Sequence, residues 1–312
     1  PHHPPPPEGP TPEREEGGWR APPRDPPGVI SPLRRPLGTN PRVARHIMTL
    51  TCDDRPGIVA AVSAALLQVE ANIVENQQYS DEDTDLFFMR TVFDAEAAEV
   101  EQVLDAIRES PAIAHQHLAV RPEDEHCRTI ILVSKFDHCL LDLLYRWKSG
   151  DLPIDIVGVV SNHEDCRALV EYYGLPFTVI PVTPETKADA EAELLRMVDA
   201  NDVGLVVLAR YMQILSDSLC RALEGRAINI HHSFLPGFKG AKPYHQAHDR
   251  GVKLIGASAH YVTADLDEGP IIEQDVVRVT HAESPERLVA LGRALARRGL
   301  PPAAPDHAGS RV

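Results

Sequence analysis

Residues 128–161 read RTIILVSKFDHCLLDLLYRWKSGDLPIDIVGVVS. Two β-branched apolar runs, RTIILVS and PIDIVGVVS, flank a segment whose apolar residues recur at helical spacing. Near-continuous apolar runs suit strands buried on both faces of a parallel sheet. FTVIPV (177–182) and DVGLVVLA (202–209) repeat the pattern, with CRALVEYYG (166–174) and KADAEAELLRMVDA (187–200) as helices between them. Such alternation predicts a doubly wound, mostly parallel α/β domain, here over 128–298. Its ligand site is expected at the carboxyl ends of the strands, near the switch in strand order. After the first strand stands Lys135-Phe136-Asp137-His138, with none of the glycines that bring backbone N–H groups onto a phosphate.

Upstream the order changes. HIMTLTC (46–52) reads as a strand, DDRPG (53–57) as a turn, and GIVAAVSAALLQV (57–69) as a helix whose Ile58, Val62, Leu66 and Val69 share one face. ANIVENQQYS (71–80) and DLFFMRTVF (85–93) are strands, and AEAAEVEQVLDAIRES (95–110) is a helix with Val100, Val103, Leu104 and Ile107 as its apolar face. HQHLAVRP (115–122) closes a βαββαβ unit over 46–123. That is the ferredoxin-like arrangement, an antiparallel sheet with two helices on one face. PEDEH (122–126) is the hinge between the domains. Residues 1–46 hold 14 of the 28 prolines and few aliphatic residues. Residues 1–45 therefore read as a disordered leader that cannot bury enough apolar surface to offset chain entropy. His2 and His3 within it make a poor metal site.

The net charge of −15 argues against nucleic acid or an anionic membrane as the main partner. The charge is uneven, at +2 over 1–46, −12 over 47–128 and −5 over 129–312, and the acidic middle reads as a solvated face. No apolar run approaches the roughly 18–20 residues of a membrane span, and the first residues have no secretory h-region. The five cysteines, 52, 127, 139, 166 and 220, lie far apart. They read as reduced thiols in a cytoplasm, with Cys139 buried beside His138.

Polar residues concentrate between Arg226 and Asp267. RAINI (226–230) is a short strand ending in Asn229, His231, His232 and Ser233. A strand period of two puts Asn229 and His231 on one face, an amide and an imidazole side by side. Such a donor pair can hold a developing oxyanion, and a carboxylate from 265–268 can handle the proton. The same spacing also fits ordinary strand-end and loop polar groups. His231, His232, His245, His248 and His260 could supply zinc ligands, but no H-E-x-x-H or similar pattern joins them, so metal-free chemistry is expected.

The string INIHHSFLPGFKGAKPYHQAHDRGVKLIGASAHYVTADLDEGPIIEQ (228–274) resembles the core of the folate-dependent formyl-transfer family. Its Asn-x-His and its later Asp in D-x-G-P-I-I match Asn229, His231 and Asp267. Within that family the closest resemblance is to the deformylases. His232 stands where transferases usually have Pro, SKFDHCLLDLL (134–144) replaces a glycine-rich phosphate loop, and DRPGIVAAVSAALLQVEANI (54–73) is similar to an ACT regulatory domain. The resemblance implies hydrolysis of 10-formyltetrahydrofolate to formate and tetrahydrofolate, with formate serving purine synthesis and the folate as substrate, not cofactor. It implies catalysis by Asn229, His231 and Asp267. It also implies substrate contacts from Arg210, Met212, Gln213, Ile214 and Leu215, through backbone groups, and from His232, Thr263 and Asp265. An amino-acid effector such as glycine or methionine would meet Arg55, Gly57 and Asn72 at the interface of a homo-oligomer.

The last residues depart from that family. Ser284 and Pro285 start a helix well, but Gly299, Pro301 and Pro302 are expected to stop it early, leaving 299–312 as an atypical disordered tail. A catalytically impaired, amino-acid-sensing or oligomer-forming remnant is thus one alternative. An amine formyltransferase is another.

Overall fold

A computed structural model describes residues 43–113, 117–237 and 242–308, with the backbone alone over 297–308. The leader, with His2 and His3, lies outside the described residues except for Val43–Arg45. These three belong to the first strand, β1 (Val43–Asp53), which begins before the expected His46. They are drawn into the ladder by partners on β3 (Leu86–Glu96), opposite Glu96, Ala95 and Asp94. Arg45 also pairs with Asp94 at 3.0 Å and Glu123 at 3.7 Å.

The first domain has the order β1, α1 (Ile58–Gln68), β2 (Asn72–Asp81), β3, α2 (Val100–Arg108), β4 (His117–Pro122). Its sheet runs β2-β3-β1-β4 and β1 is antiparallel to both its neighbours. Met48, Leu50 and Cys52, alternate residues of β1, meet Ile58, Val62 and Leu66 of α1 and Val103 and Ile107 of α2 in one core. Both helices therefore cover the same sheet face.

The second domain contains β5 (Cys127–Val133), α3 (His138–Ser149), β6 (Ile154–Ser161), α4 (Arg167–Tyr172), β7 (Phe177–Val179), α5 (Lys187–Ala200) and β8 (Leu205–Leu208). Then follow α6 (Asp217–Ala222), β9 (Ala227–His231), α7 (Pro243–Asp249), β10 (Leu254–Tyr261), β11 (Ile271–Arg278) and α8 (Pro285–Ala308). The sheet order is β11-β10-β9-β8-β5-β6-β7. The five strands β5 to β9 are parallel, and β10 and β11 extend the sheet antiparallel. Ile131 and Val133 of β5 enter a core with α3 and α8, while Ile130 and Leu132 enter another with α5 and α6. Burial on both faces is what the uninterrupted apolar runs encode.

The helix α8 runs on to Ala308 instead of stopping near Gly299. Its first half is anchored by buried Leu288, Leu295 and Ala296. Once a helix is nucleated, each added residue costs little, and Leu300, Ala303 and Ala304 are strong helix formers. Pro301, Pro302 and Pro305 forgo ladder N–H groups without ending it. Residues 309–312 lie outside the described part. No described helix is long and apolar enough to cross a membrane.

Strand order reverses between β5 and β8, and the two carboxyl ends are tied there. Ser134 N–H donates to the Arg210 carbonyl at 3.2 Å. The Ser134 hydroxyl accepts from Met212 N–H at 3.0 Å and donates to Asn162 Oδ1 at 2.6 Å. A ligand cavity of about 700 Å³ opens beside this knot, where the chain diverges and leaves a crevice.

Candidate active site

Three segments bring the polar groups of the cavity together. The strand β9 carries Asn229 and His231, both on the cavity wall. The antiparallel register of β10 sets His260 opposite Asn229 and Ser258 opposite His231. The loop from β10 to β11 delivers Asp267. Its neck is closed by Tyr261 N–H donating to the Pro270 carbonyl at 2.9 Å. Within it Asp267 adopts φ +59°, a left-handed conformation that Asp tolerates better than most residues.

Asp267 Oδ1 lies 3.2 Å from His231 Nδ1 and 3.8 Å from His260 Nε2. Asn229 Nδ2 lies 3.2 Å from His260 Nε2. His260 Nδ1 is 2.8 Å from the Tyr261 carbonyl, which can only accept, so that nitrogen carries a proton. The lone pair of Nε2 then receives one amide N–H of Asn229, and the second N–H is left for a ligand. Burial pushes the His260 imidazole below its ordinary 6.5, against the opposing pull of the Tyr261 carbonyl and Asp267. The ring is neutral at pH 7. His260, at 2% exposure, and Asp267 and His231, both at 8%, form a dry cluster in which dipoles and charges act strongly.

The depressed His260 pKa has a consequence for stability. The unfolded chain binds this proton at higher pH than the folded one, so stability is intact above about pH 6.5 and falls as the pH drops below it. Melting temperatures at pH 7 and pH 5 are expected to diverge more for the wild type than for His260→Gln. Equal divergence would mean that this ring does not titrate as described.

A second network fixes the chain after β9. The Ser258 hydroxyl donates to the Ser233 carbonyl at 2.9 Å and accepts from Leu235 N–H at 3.0 Å and Gln274 Nε2 at 2.9 Å. Residues 238–241, the middle of the expected LPGFKGAKP loop, lie outside the described part.

A formyl transferase family model matches residues 127–304, and an ACT domain model matches residues 46–112. Formyltetrahydrofolate deformylase of Corynebacterium sp. (strain P-1) is 50% identical over 86% of this chain and 94% of its own length. That of Bacillus subtilis (strain 168) is 45% identical over 85% and 89%. The crystal structure of the Burkholderia mallei formyltetrahydrofolate deformylase superposes with a TM-score of 0.79 at 46% identity, covering 86% of this chain and 96% of that one. The chain belongs to the formyltetrahydrofolate deformylase family. Glycinamide ribonucleotide transformylase 1 from Symbiobacterium toebii gives a TM-score of 0.57 at 31% identity. It covers 61% of this chain and 91% of its own. The deformylase likeness thus extends over a larger share of the chain than this transformylase likeness does.

In this deformylase-family chain, Arg210, Met212, Gln213, Ile214 and Leu215 line one side of the cavity, and His232 and Thr263 also line it. Leu215 additionally packs on the core, whereas Met212 and Ile214 are exposed apolar residues in the cavity wall, at 59% and 64%. Asp265 is not brought there. Its carbonyl accepts from the Thr263 hydroxyl at 2.9 Å and Glu268 N–H at 3.3 Å, and this tight turn leaves its side chain in solvent. Cys139 is buried at 1% exposure, and none of the five cysteines is in a disulfide. His245 joins the cavity wall, but His248 pairs with Asp249 at the exposed end of α7. Among the described residues no three His, Cys, Asp or Glu cluster as a metal site.

The three expected effector residues separate into two places. Arg55, paired with Asp53 at 3.3 Å, and Gly57, at φ +102°, form the turn that starts α1. Asn72 starts β2 opposite Asp94, which itself faces Arg45 on β1. That is eight residues back from Asp53, about 27 Å along a strand. The separation arises because α1 returns the chain to the beginning of β1 before β2 starts.

The sequence offers His260 only as a candidate zinc ligand, not as a partner of Asn229. Its signal was the two-residue period of β10, which aligns it with Ser258, but only the pairing with β9 sets it beside Asn229.

Proposed function

We propose that this chain hydrolyses 10-formyltetrahydrofolate to formate and tetrahydrofolate. The observation that carries the reading is the buried Asp267 carboxylate 3.2 Å from His231 in a cavity shared with Asn229. The pterin would lie along residues 210–215, opposite Thr263. The formyl oxygen on N10 would accept from the free N–H of Asn229. His231, held through Nδ1 against Asp267, would turn the other edge of its ring toward the same oxygen. Asp267 accepts a proton from water as the water oxygen bonds to the formyl carbon. That proton passes to N10 as the C–N10 bond breaks, and the acid released ionises to formate. No step requires a metal. Preorganised donors of this kind are worth about 2.7–4 kcal/mol each.

The formate would serve purine synthesis, and five cysteines outside any disulfide suit a reducing cytoplasm. An amino-acid effector such as glycine or methionine fits the ACT domain. Since Gly57 and Asn72 are far apart in one chain, an effector touching both would sit between two copies, which favours a homo-oligomer. The alternatives are decided by one assay. Formate released from 10-formyltetrahydrofolate without added amine is expected. Release only with an amine would identify a transferase, and none at all would identify a remnant.

A further inference from the structure

The cavity is rich in positive charge although the chain is strongly acidic. Arg210, Lys242 and Arg293 line it, against the single carboxylate of Asp267. Two of these cations meet on one ring. The Arg210 guanidinium lies 5.4 Å from the Phe136 centroid, and the Arg293 guanidinium also lies 5.4 Å from it. Both carry the same charge and repel each other, and among the described residues neither has a carboxylate partner. Arg210 Nε is buried without any hydrogen-bond partner. Desolvation pulls the Arg210 pKa down, and burial pushes the Tyr244 phenol beside it up, so that phenol is neutral at pH 7.

This arrangement is costly in an empty cavity. A guanidinium removed from water needs compensation from an anion or from acceptor atoms. Phe136 supplies only a quadrupole, a weak attraction for each cation. The backbone adds to the cost, because Arg210 sits at φ +68°, where a long side chain is uncommon. It is nevertheless held there by its carbonyl bond to Ser134 at the strand switch. Strain and an unmet charge at one residue, pointing into a ligand cavity, identify a place where ligand charge is expected.

We propose that Arg210 and Arg293, spaced by Phe136, form a carboxylate-binding subsite of this cavity. The planar fork of Arg matches a carboxylate, and the Arg210 and Arg293 side chains both line the cavity. The proposal rests on the hydrolase reading for the source of the carboxylate. That source is either the formate product or a carboxylate of the folate glutamate tail.

The test is calorimetric titration of the full chain, without turnover, using sodium formate and p-aminobenzoylglutamate as separate probes. Binding of at least one is expected, weakened about tenfold or more in Arg293→Met and in Arg210→Met. Formate binding that is lost in the variants assigns the subsite to product, and loss confined to p-aminobenzoylglutamate assigns it to the tail. Arg293 is exposed, so its variant is expected to fold. Arg210→Met is expected to melt higher than wild type, since it removes a half-buried charge whose Nε lacks a hydrogen-bond partner. If neither probe binds, or if both bind equally to wild type and variants, the subsite does not exist. These readouts are independent of formate release, so failure of the hydrolase reading would be seen separately.

Discussion

Asp267→Asn is expected to lower formate release about 10³-fold while tetrahydrofolate binds within about twofold of wild type. General acid–base help is worth about 10²–10⁴-fold, and an amide oxygen cannot take a proton from water at neutral pH. The substitution isolates that step well. Asn has nearly the size of Asp and is among the few residues that accept the left-handed backbone found here, at φ +59°. The loop should therefore keep its shape. Formate release measures turnover, and calorimetry with tetrahydrofolate measures binding. Turnover within tenfold of wild type would remove Asp267 from the proton path.

Gly269→Ala is expected to cost about 100-fold in turnover without touching any reacting group. A Cβ at Gly269 would fall inside the contact radius of the Tyr261 carbonyl oxygen and 2.8 Å from its carbon. Both are backbone atoms, and the Tyr261–Pro270 hydrogen bond ties the same neck together, so no flexible side chain can yield. The loop must shift, and Asp267 lies two residues away. A displacement near 1 Å at a positioned group commonly costs about 10² in rate. The variant should keep its far-ultraviolet dichroism and its melting transition to within a few degrees. Full activity in a folded variant would show that the loop tolerates displacement, and that Asp267 need not be held so closely.

These two positions also mark what the sequence made legible. The strands of both domains follow from period and β-branching, and the pairing of Asn229 with His231 on one wall follows from a two-residue repeat. Those are local properties of a chain. Asp267 was reached through a resemblance, because no spacing rule connects it to His231 across 36 residues. His260 required knowledge that β10 runs antiparallel beside β9, and the hydrogen-bond register lies outside any local pattern. The Arg210–Phe136–Arg293 contact was hidden for the same reason, since it joins the ends of β5 and β8 to α8. The tail was misjudged in the other direction. Gly299 and the prolines are real helix breakers locally, but the anchoring of Leu288, Leu295 and Ala296 is tertiary and outweighs them. Asp265 neighbours Asp267 in sequence, yet it is exposed and off the cavity wall while Asp267 is buried on it.

The apolar interiors of the two domains have no residue in common. The hinge between Pro122 and Cys127 is thus a seam at which a gene could be cut without leaving either part short of its interior. Recombination at such a seam can add or delete the ACT module in one event, and the downstream domain keeps its own scaffold. Heating should reveal the same modularity as two separable unfolding steps, each lowered by substitutions on its own side.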